Sequence, residues 1–203
     1  MEIKIKEIEP NELVTSVDIF TECFLEEPLH ILAFPEIEKR MKCTRLVYEL
    51  VVYHLVPGLK MKIIGAYIGG NLVGALDYTP PNKNALWSEE LDEAVKDMRR
   101  KADDEAINII GEFAQLSGMV KPEETHFYIN DVAVLKEFRG KGIAGKLFKH
   151  VENECLMHPE AVCTALDATS PKNISLYEHW GYKIYKEIPF HDITCHKMKK
   201  QIK

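Results

Sequence analysis

The stretch that decides the fold is Val132-Ala-Val-Leu-Lys-Glu-Phe-Arg-Gly-Lys-Gly-Ile-Ala-Gly-Lys-Leu-Phe148. It begins with four apolar residues, passes through a short charged connection, and continues with the spacing of an amphipathic helix. Apolar side chains that recur every four residues set the buried face of that helix. They are Ile143, Leu147, Val151 and Cys155. The stretch therefore predicts a strand, a tight turn and a helix in immediate succession.

The turn from Arg139 to Ala144 contains two glycines, Gly140 and Gly142, just before the helix. A glycine has no Cβ, so a ligand can approach its backbone closely. The first amides of a helix have no partner inside the helix, and the helix dipole is positive at that end. A glycine-rich turn followed by a helix N-terminus therefore predicts an anion-binding site, best suited to phosphates.

Two segments resemble the motifs of one enzyme family. Arg139-Gly-Lys-Gly-Ile-Ala144 is similar to the Arg/Gln-x-x-Gly-x-Gly/Ala signature of the GCN5-related N-acetyltransferase (GNAT) superfamily. Members of that superfamily bind the pyrophosphate of acetyl-CoA there. Asn173-Ile-Ser-Leu-Tyr-Glu-His-Trp-Gly-Tyr182 resembles their second motif, in the family's order and at its usual separation. The resemblance runs from about residue 125 to the C-terminus, and the N-terminal half matches only in the order of its elements.

The resemblance implies a fold, a donor and a set of site residues. The fold is α/β, a single-domain acyl-CoA N-acyltransferase fold with a mixed central sheet flanked by helices. Acetyl-CoA is the expected co-substrate, and the acceptor is an amine of a small molecule or a protein. The residues expected to contact acetyl-CoA are Val132, Ala133, Val134, Arg139, Gly140, Lys141, Gly142, Ile143, Ala144 and Asn173.

Tyr177 is the residue that the resemblance assigns to catalysis. Acetyl transfer from a thioester to an amine releases a thiolate, and a phenol held near the sulfur can supply a proton or a hydrogen bond. The alternative for Tyr177 is packing of its ring on the sheet. For Asn173, one helical turn earlier on the same face, the alternative is a bond to nearby backbone. For residues 132–134, the alternative is that their side chains simply pack in the core.

The sequence identifies no single general base. Some family members carry Glu or His two or four residues before the position of Val132, where this chain has Asn130 and Tyr128. Asp131 is adjacent, but alternation along a strand points it to the opposite face. The remaining possibilities are an ordered water and three side chains, namely Glu26, Glu27 and His126.

Length and composition set the broad class. The chain has 203 residues, enough for a sizeable core and best described as one domain covering residues 1–203. A hydrophobic share of 46% and a charged share of 29% are typical of a globular protein in water. The net charge of −6 argues against nucleic acid or an anionic membrane as the main partner. A homodimer is compatible with the sequence.

Cysteine and histidine usage points to a reducing compartment and no metal. Five cysteines are scattered without a Cys-x-x-Cys pair, which is typical of reduced thiols. The eight histidines show no metal-ligand spacing. The N-terminus lacks an apolar signal segment, and the most apolar run, residues 46–56, is too short to span a bilayer. A cytoplasmic protein is therefore expected.

The remaining elements follow from periodicity and from proline and glycine. A strand is predicted at residues 2–8, a helix up to Phe24, and a second helix that begins at Pro35 with Ile37 and Met41 on its buried face. A hairpin at residues 60–79 and a helical segment at 88–117, broken near Asp103-Asp104, come next. The central strand at 125–135, the helix to about residue 157, a strand at 161–166, a helix capped by Ser170, and two final strands complete the chain.

Two other functions compete with the acetyltransferase hypothesis. Gly140-Lys-Gly-Ile-Ala-Gly145 also spells G-x-G-x-x-G, the fingerprint of a dinucleotide-binding oxidoreductase. That fold needs its first glycine almost directly after the strand and further βαβ units downstream, and this chain lacks both. The other alternative keeps the fold without the catalysis, as an acyl-CoA-binding sensor or regulatory module.

Overall fold

The structure is a computed structural model that describes residues 2–81, 86–102 and 104–203, without the side chains of residues 104 and 105. Its described strands are β1 Lys4–Glu7, β2 Lys62–Ile68, β3 Asn71–Thr79, β4 His126–Val134, β5 Cys163–Ala168, β6 Lys183–Phe190 and β7 Ile193–Gln201. Its described helices are α1 Leu13–Phe24, α2 Pro28–Ala33, α3 Ile37–Leu50, α4 Val56–Gly58, α5 Glu89–Lys101, α6 Asp104–Met119, α7 Ile143–Met157 and α8 Pro171–His179. None of these described helices is both long and apolar enough to cross a membrane.

The strands form one mixed sheet in the order β1-β2-β3-β4-β5-β7-β6. Every neighbouring pair is antiparallel except β4 and β5, which are parallel and joined by α7. One core cluster lies between the sheet and α7. A second lies between the sheet and the helices α1 and α3. The predicted α/β fold with a mixed sheet and flanking helices is confirmed.

The strand, turn and helix predicted around residues 132–148 are present. The four predicted apolar side chains of α7 are 0–2% exposed, so the helix packs on the sheet through the expected face. Gly142 is the N-cap residue of α7 and has a φ of 75°, a left-handed conformation that favours glycine. The turn geometry therefore depends on glycine at this position.

The helix predicted to begin at Pro35 is present and begins two residues later, at Ile37. The sequence prediction missed the short helix α2 before it, in which Pro28 is the first helical residue. Ile37 and Met41, expected on the buried face, are 50% and 52% exposed. A π-helical turn at Val51–Leu55 then shifts the phase of the following residues. Periodicity over the whole segment could not anticipate this change of register.

Two smaller predictions had different outcomes. The break in the long helical segment lies between α5 and α6 as expected, although Asp103 itself is outside the described residues. Ser170 precedes Pro171 at the start of α8, but its side chain makes no capping hydrogen bond. The first turn of α8 is therefore not capped by its own N-cap side chain.

Arg40 fixes α2 between its neighbours. Its side chain is buried, and its guanidinium donates to three main-chain carbonyl groups. These are Phe34 O at 2.8 Å, Leu25 O at 2.9 Å and Pro35 O at 2.8 Å. Because Leu25 and Phe34 are the C-cap residues of α1 and α2, one side chain satisfies carbonyl groups at both helix ends. Arg40 thus holds the connection between α1 and α2 in place.

Replacement of this clamp has a predictable cost. Arg40→Met should lower the free energy of unfolding by about 2–4 kcal/mol, because three hydrogen bonds from a charged donor are lost and the carbonyl groups, that of the buried Phe34 among them, are left unpaired. Urea unfolding measures this. The matched control is Arg45→Met on the same helix, whose side chain is 43% exposed and pairs with Asp18 and Glu49. That change should cost less than about 1 kcal/mol. Equal losses in both variants would contradict the clamp.

Candidate active site

A cleft of about 810 Å³ opens where β4 and β5 separate. The two strands pair only between His126–Ile129 and Cys163–Leu166, so the following residues of β4 have no ladder partner on the β5 side. Residues from both diverging strands line the cleft, together with the turn before α7, the helix α8 and the end of α1. A single gap in the sheet therefore brings these elements together.

The glycine-rich turn forms one end of the cleft. Gly140 and Gly142 both have a φ of 75°, and a Cβ at either position would meet no atom within 4 Å. Arg139 holds the turn, since its Nε donates to Val134 O at 2.8 Å and its Nη2 lies 3.5 Å from the Sγ of Cys23. The turn is thus anchored to the end of β4 while its backbone stays open to a ligand.

The structure places most of the predicted contact residues in this one cleft. The cleft-lining members of the set are Val132, Ala133, Val134, Arg139, Gly140, Gly142, Ile143, Ala144 and Asn173. Lys141 is the exception, because its Nζ donates to Glu137 O at 2.9 Å and lies over the ring of Phe138. Asn173 and Tyr177 lie on the same face of α8, and both line the cleft.

Tyr177 is buried in an aromatic cluster at the cleft wall. Its ring stacks on Phe148 with centroids 5.4 Å apart, and Trp180 and Tyr182 lie around it. Burial raises the pKa of Tyr177, and the negative charges of Glu27 and Asp131 raise it further. The phenol therefore stays protonated at neutral pH and is available as a donor.

Glu27 is one of two candidate bases from the sequence that line the same cleft. It lies in the connection that Arg40 clamps, and its Oε1 accepts a hydrogen bond from Thr169 Oγ1 at 2.5 Å. Burial raises the pKa of the Glu27 carboxyl group, and the bond from Thr169 opposes that rise. A partly desolvated carboxylate with a raised pKa is suited to accept a proton near neutral pH.

The other candidates for a base are placed differently. Glu26 also lines the cleft, whereas His126 does not, and its Nδ1 lies 2.7 Å from Glu124 O. A β-bulge at Asn130 separates Tyr128 from the face that carries Val132, because Asp77 pairs with Asp131 and Tyr78 with Ile129. Tyr128 instead bonds to Asp167 and to Lys197, the latter at 2.7 Å.

Asp77 and Asp131 form a carboxyl pair that sequence reasoning missed. They lie opposite each other on β3 and β4, at the bulge. Tyr48 donates to Asp131 Oδ1 at 3.2 Å, and Asn130 Nδ2 donates to Asp77 Oδ1 at 3.0 Å. Burial raises the pKa of Asp131 to about 6 and that of Asp77 well above its ordinary value. The signal available in the sequence was an acidic residue inside each of two apolar strands.

Comparison with known proteins finds similarity to acetyltransferases in part of the sequence and in the fold. Residues 102–184 match the acetyltransferase (GNAT) domain. Curated proteins give no match to the chain. Among solved structures, the fold is similar to the histone acetyltransferase HPA2 and related acetyltransferase of Corynebacterium glutamicum, with a TM-score of 0.71 and 20% identity over 98% of this chain and 96% of that one.

Two further structures share the fold along essentially the whole chain. Arylalkylamine N-acetyltransferase 2 of Aedes aegypti has a TM-score of 0.68 and 18% identity, with 100% of both chains covered. PaiA N-acetyltransferase of Thermoplasma acidophilum, solved in complex with coenzyme A, has a TM-score of 0.63 and 13% identity, with 99% of both chains covered. The N-terminal half, for which the sequence offered no motif, therefore takes part in the same fold.

The raised pKa of Asp131 predicts a pH-dependent stability. Its carboxyl group binds a proton more tightly in the folded protein than in the unfolded chain, so this group lowers stability as pH rises from about 4 to above 6. Asp131→Asn should therefore raise the free energy of unfolding near neutral pH, by about 1–3 kcal/mol, and the gain should vanish toward pH 4. Urea unfolding across this range measures the difference from wild type.

Asp97→Asn serves as the control of opposite sign. Lys101 lowers the pKa of the exposed Asp97 carboxyl group, so its charged form favours the folded state. Removal of that charge should give no gain at neutral pH. A variant at position 131 that is less stable than wild type at neutral pH, with the loss fading at low pH, would show that Asp131 is favourably ionised instead.

Proposed function

We propose that the chain, whose residues 102–184 match the acetyltransferase (GNAT) domain, is an acetyl-CoA-dependent N-acetyltransferase of the GNAT superfamily that moves an acetyl group directly to a primary amine. One observation carries the proposal. A glycine-rich turn at a helix N-terminus, with room for a ligand at Gly140 and Gly142, opens into the same cleft that contains the buried Tyr177. A phosphate-binding end and a proton donor thus lie in one continuous space.

The residues of the cleft fit acetyl-CoA as a co-substrate. The first amides of α7 and the positive end of its dipole suit the pyrophosphate, and Gly142 has no side chain that could cap them. The part of β4 without a β5 partner offers backbone groups to the pantetheine arm. PaiA N-acetyltransferase, which has the same fold, is known in complex with coenzyme A. These features support acetyl-CoA as the donor.

Glu27 and Tyr177 divide the proton transfers in this proposal. The amine must lose a proton to attack the thioester carbonyl, and Glu27 accepts it. Tyr177 donates to the sulfur as the carbon–sulfur bond breaks and the thiol leaves. The two groups are coupled, since the negative charge of Glu27 raises the pKa of Tyr177. Protonation of Glu27 removes that charge and makes the phenol a stronger acid when the thiolate departs.

The donor assignment is tested at the glycine turn. Gly142→Glu should abolish acetyl-CoA binding, because its side chain occupies the phosphate space and its charge repels the phosphates. Wild type should gain melting temperature as acetyl-CoA is added, and the variant should not. Gly70→Glu is the matched control, since Gly70 also has a positive φ, 87°, and open space, but lies in the hairpin away from the cleft. An unchanged acetyl-CoA titration in Gly142→Glu would place the phosphates elsewhere.

The role of Tyr177 is tested by Tyr177→Phe. Loss of the hydroxyl should lower kcat by about a hundredfold to ten-thousandfold and leave acetyl-CoA affinity nearly unchanged, because the group acts only in the transition state. Thiol release and calorimetry measure the two quantities. Tyr182→Phe is the control from the same aromatic cluster, since its hydroxyl bonds to Thr164 at 2.8 Å, so stability should fall and turnover should not. A loss of rate under about threefold in Tyr177→Phe is only a fraction of a kcal/mol and would contradict the assignment.

The role of Glu27 as the base is tested by Glu27→Gln. In wild type, kcat/KM for the amine should rise with pH through the raised pKa of Glu27. The glutamine variant should lose that rise together with most of the rate, and Glu26→Gln should keep it. Retention of the pH profile in Glu27→Gln would exclude this carboxylate as the base.

A further inference from the structure

Charge is separated along the cleft. The basic side chains that line it, Arg139 and Lys172, belong to the turn before α7 and to the start of α8. The acidic side chains that line it are Asp167, which is paired with Lys197, and Glu26 and Glu27 from the connection between α1 and α2. One end of the cleft therefore suits the phosphates of the donor, and the other suits a positively charged acceptor.

The Asp77–Asp131 pair adds negative charge behind the acidic end. Asp131 is partly exposed, and its neighbours Asn130 and Val132 line the cleft. The negative charges of Asp131 and Glu27 both act on Tyr177 at the cleft wall. Within the described residues neither Asp77 nor Asp131 forms an ion pair, and no group of three carboxylate, histidine or cysteine side chains there is arranged to hold a metal ion.

The second observation concerns the hydrogen bonds of Asp77 and is independent of the charge distribution along the cleft. Its side chain is completely buried, and its Oδ2 has no hydrogen-bond partner in the described part of the chain. Its other oxygen accepts from Asn130, a cleft residue, and its carboxyl group interacts with that of Asp131. An unpartnered buried carboxylate oxygen is costly unless a proton or a cation compensates it. By contrast, Lys197 lies 2.6 Å from Asp167, so that carboxylate already has its counter-charge.

We propose that Asp131, backed by the buried Asp77, binds a second cationic group of the acceptor, so that the substrate is a diamine or polyamine. This inference rests on the proposed acetyltransferase function. The reacting ammonium group transfers its proton to Glu27 before it attacks, so it does not compensate the pair. A second ammonium group compensates the negative charge of the pair and replaces the proton that the two carboxyl groups share when the site is empty. A monoamine has no second ammonium group, so the shared proton stays on the pair.

Binding of the second ammonium group should release a proton near pH 6. The groups that face Asp131 are Asp77 from β3, Tyr48 from α3, Glu27 from the α1–α2 connection and Tyr177 from α8. Burial raises the pKa of Asp131 to about 6, and a bound cation lowers it again. Calorimetry in two buffers of different ionisation enthalpy therefore detects the proton as a difference in observed heat.

The deciding experiment measures binding rather than turnover. The full chain is saturated with coenzyme A, which cannot react, and titrated with diaminobutane or with butylamine. The diamine should bind at least about tenfold more tightly than the monoamine. In Asp131→Asn and in Asp77→Asn the two affinities should differ by less than about twofold. Asp97→Asn, on the exposed face of α5, should keep the preference of wild type.

The outcomes separate this inference from the proposed function. Equal affinity of wild type for diamine and monoamine, with coenzyme A bound, would overturn the second-cation site and leave the acetyltransferase intact. Retention of the preference in both aspartate variants would also overturn it. Failure of coenzyme A to bind at all would overturn both proposals. The diaminopentane and pentylamine pair is run alongside, and the inference requires the same preference in at least one pair.

Discussion

The separation of β4 from β5 after Ile129 and Leu166 is the constraint on which the site depends. A buried strand normally satisfies its amides and carbonyl groups through both neighbours, and an unpaired edge inside a sheet is costly. Here the edge is left open over the last residues of β4, and the chain can tolerate this only because the gap is a cleft. An extended ligand that bonds to this edge would replace the missing neighbour. The same gap exposes the start of α7 at one end and Tyr177 at its wall.

The bulge at Asn130, in the pairing of β4 with β3, is a second feature of β4 that shapes the site. Without it, Tyr128 would share the face of Val132, and the side chains of β4 would alternate regularly along its length. With it, Phe127 and Ile129 join the core on the α7 side, and Tyr128 turns to Asp167 and Lys197 on the other. The bulge also sets Asp131 directly against Asp77. A single inserted residue therefore reorganises the polar groups around the cleft.

The parts of the fold that sequence predicted are those governed by local rules. The α7 helix and its glycine turn follow from a period of four and from the conformations open to Gly142, both of which act within a few residues. The α2 helix, the exposed Ile37 and the buried Arg40 follow instead from contacts between helices that are distant in sequence. The same holds for Glu27, which sequence placed only among several candidates for a base. Its position depends on Arg40, on Thr169 and on the gap between two strands.

Two largely buried polar clusters on β3, β4, β5 and β7 differ in whether their charged side chains have partners within the protein. In the first, Lys197 satisfies Asp167, Tyr128 and Ser117 together, so every charge has a partner and the cluster stabilises the fold. In the second, Asp77 and Asp131 meet with no cation among the described residues, and one oxygen remains unbonded. Burial with a full set of partners is a structural solution. Burial without one, beside a cleft, is a cost that a ligand can remove, and this difference is the physical ground for assigning the second cluster to the substrate.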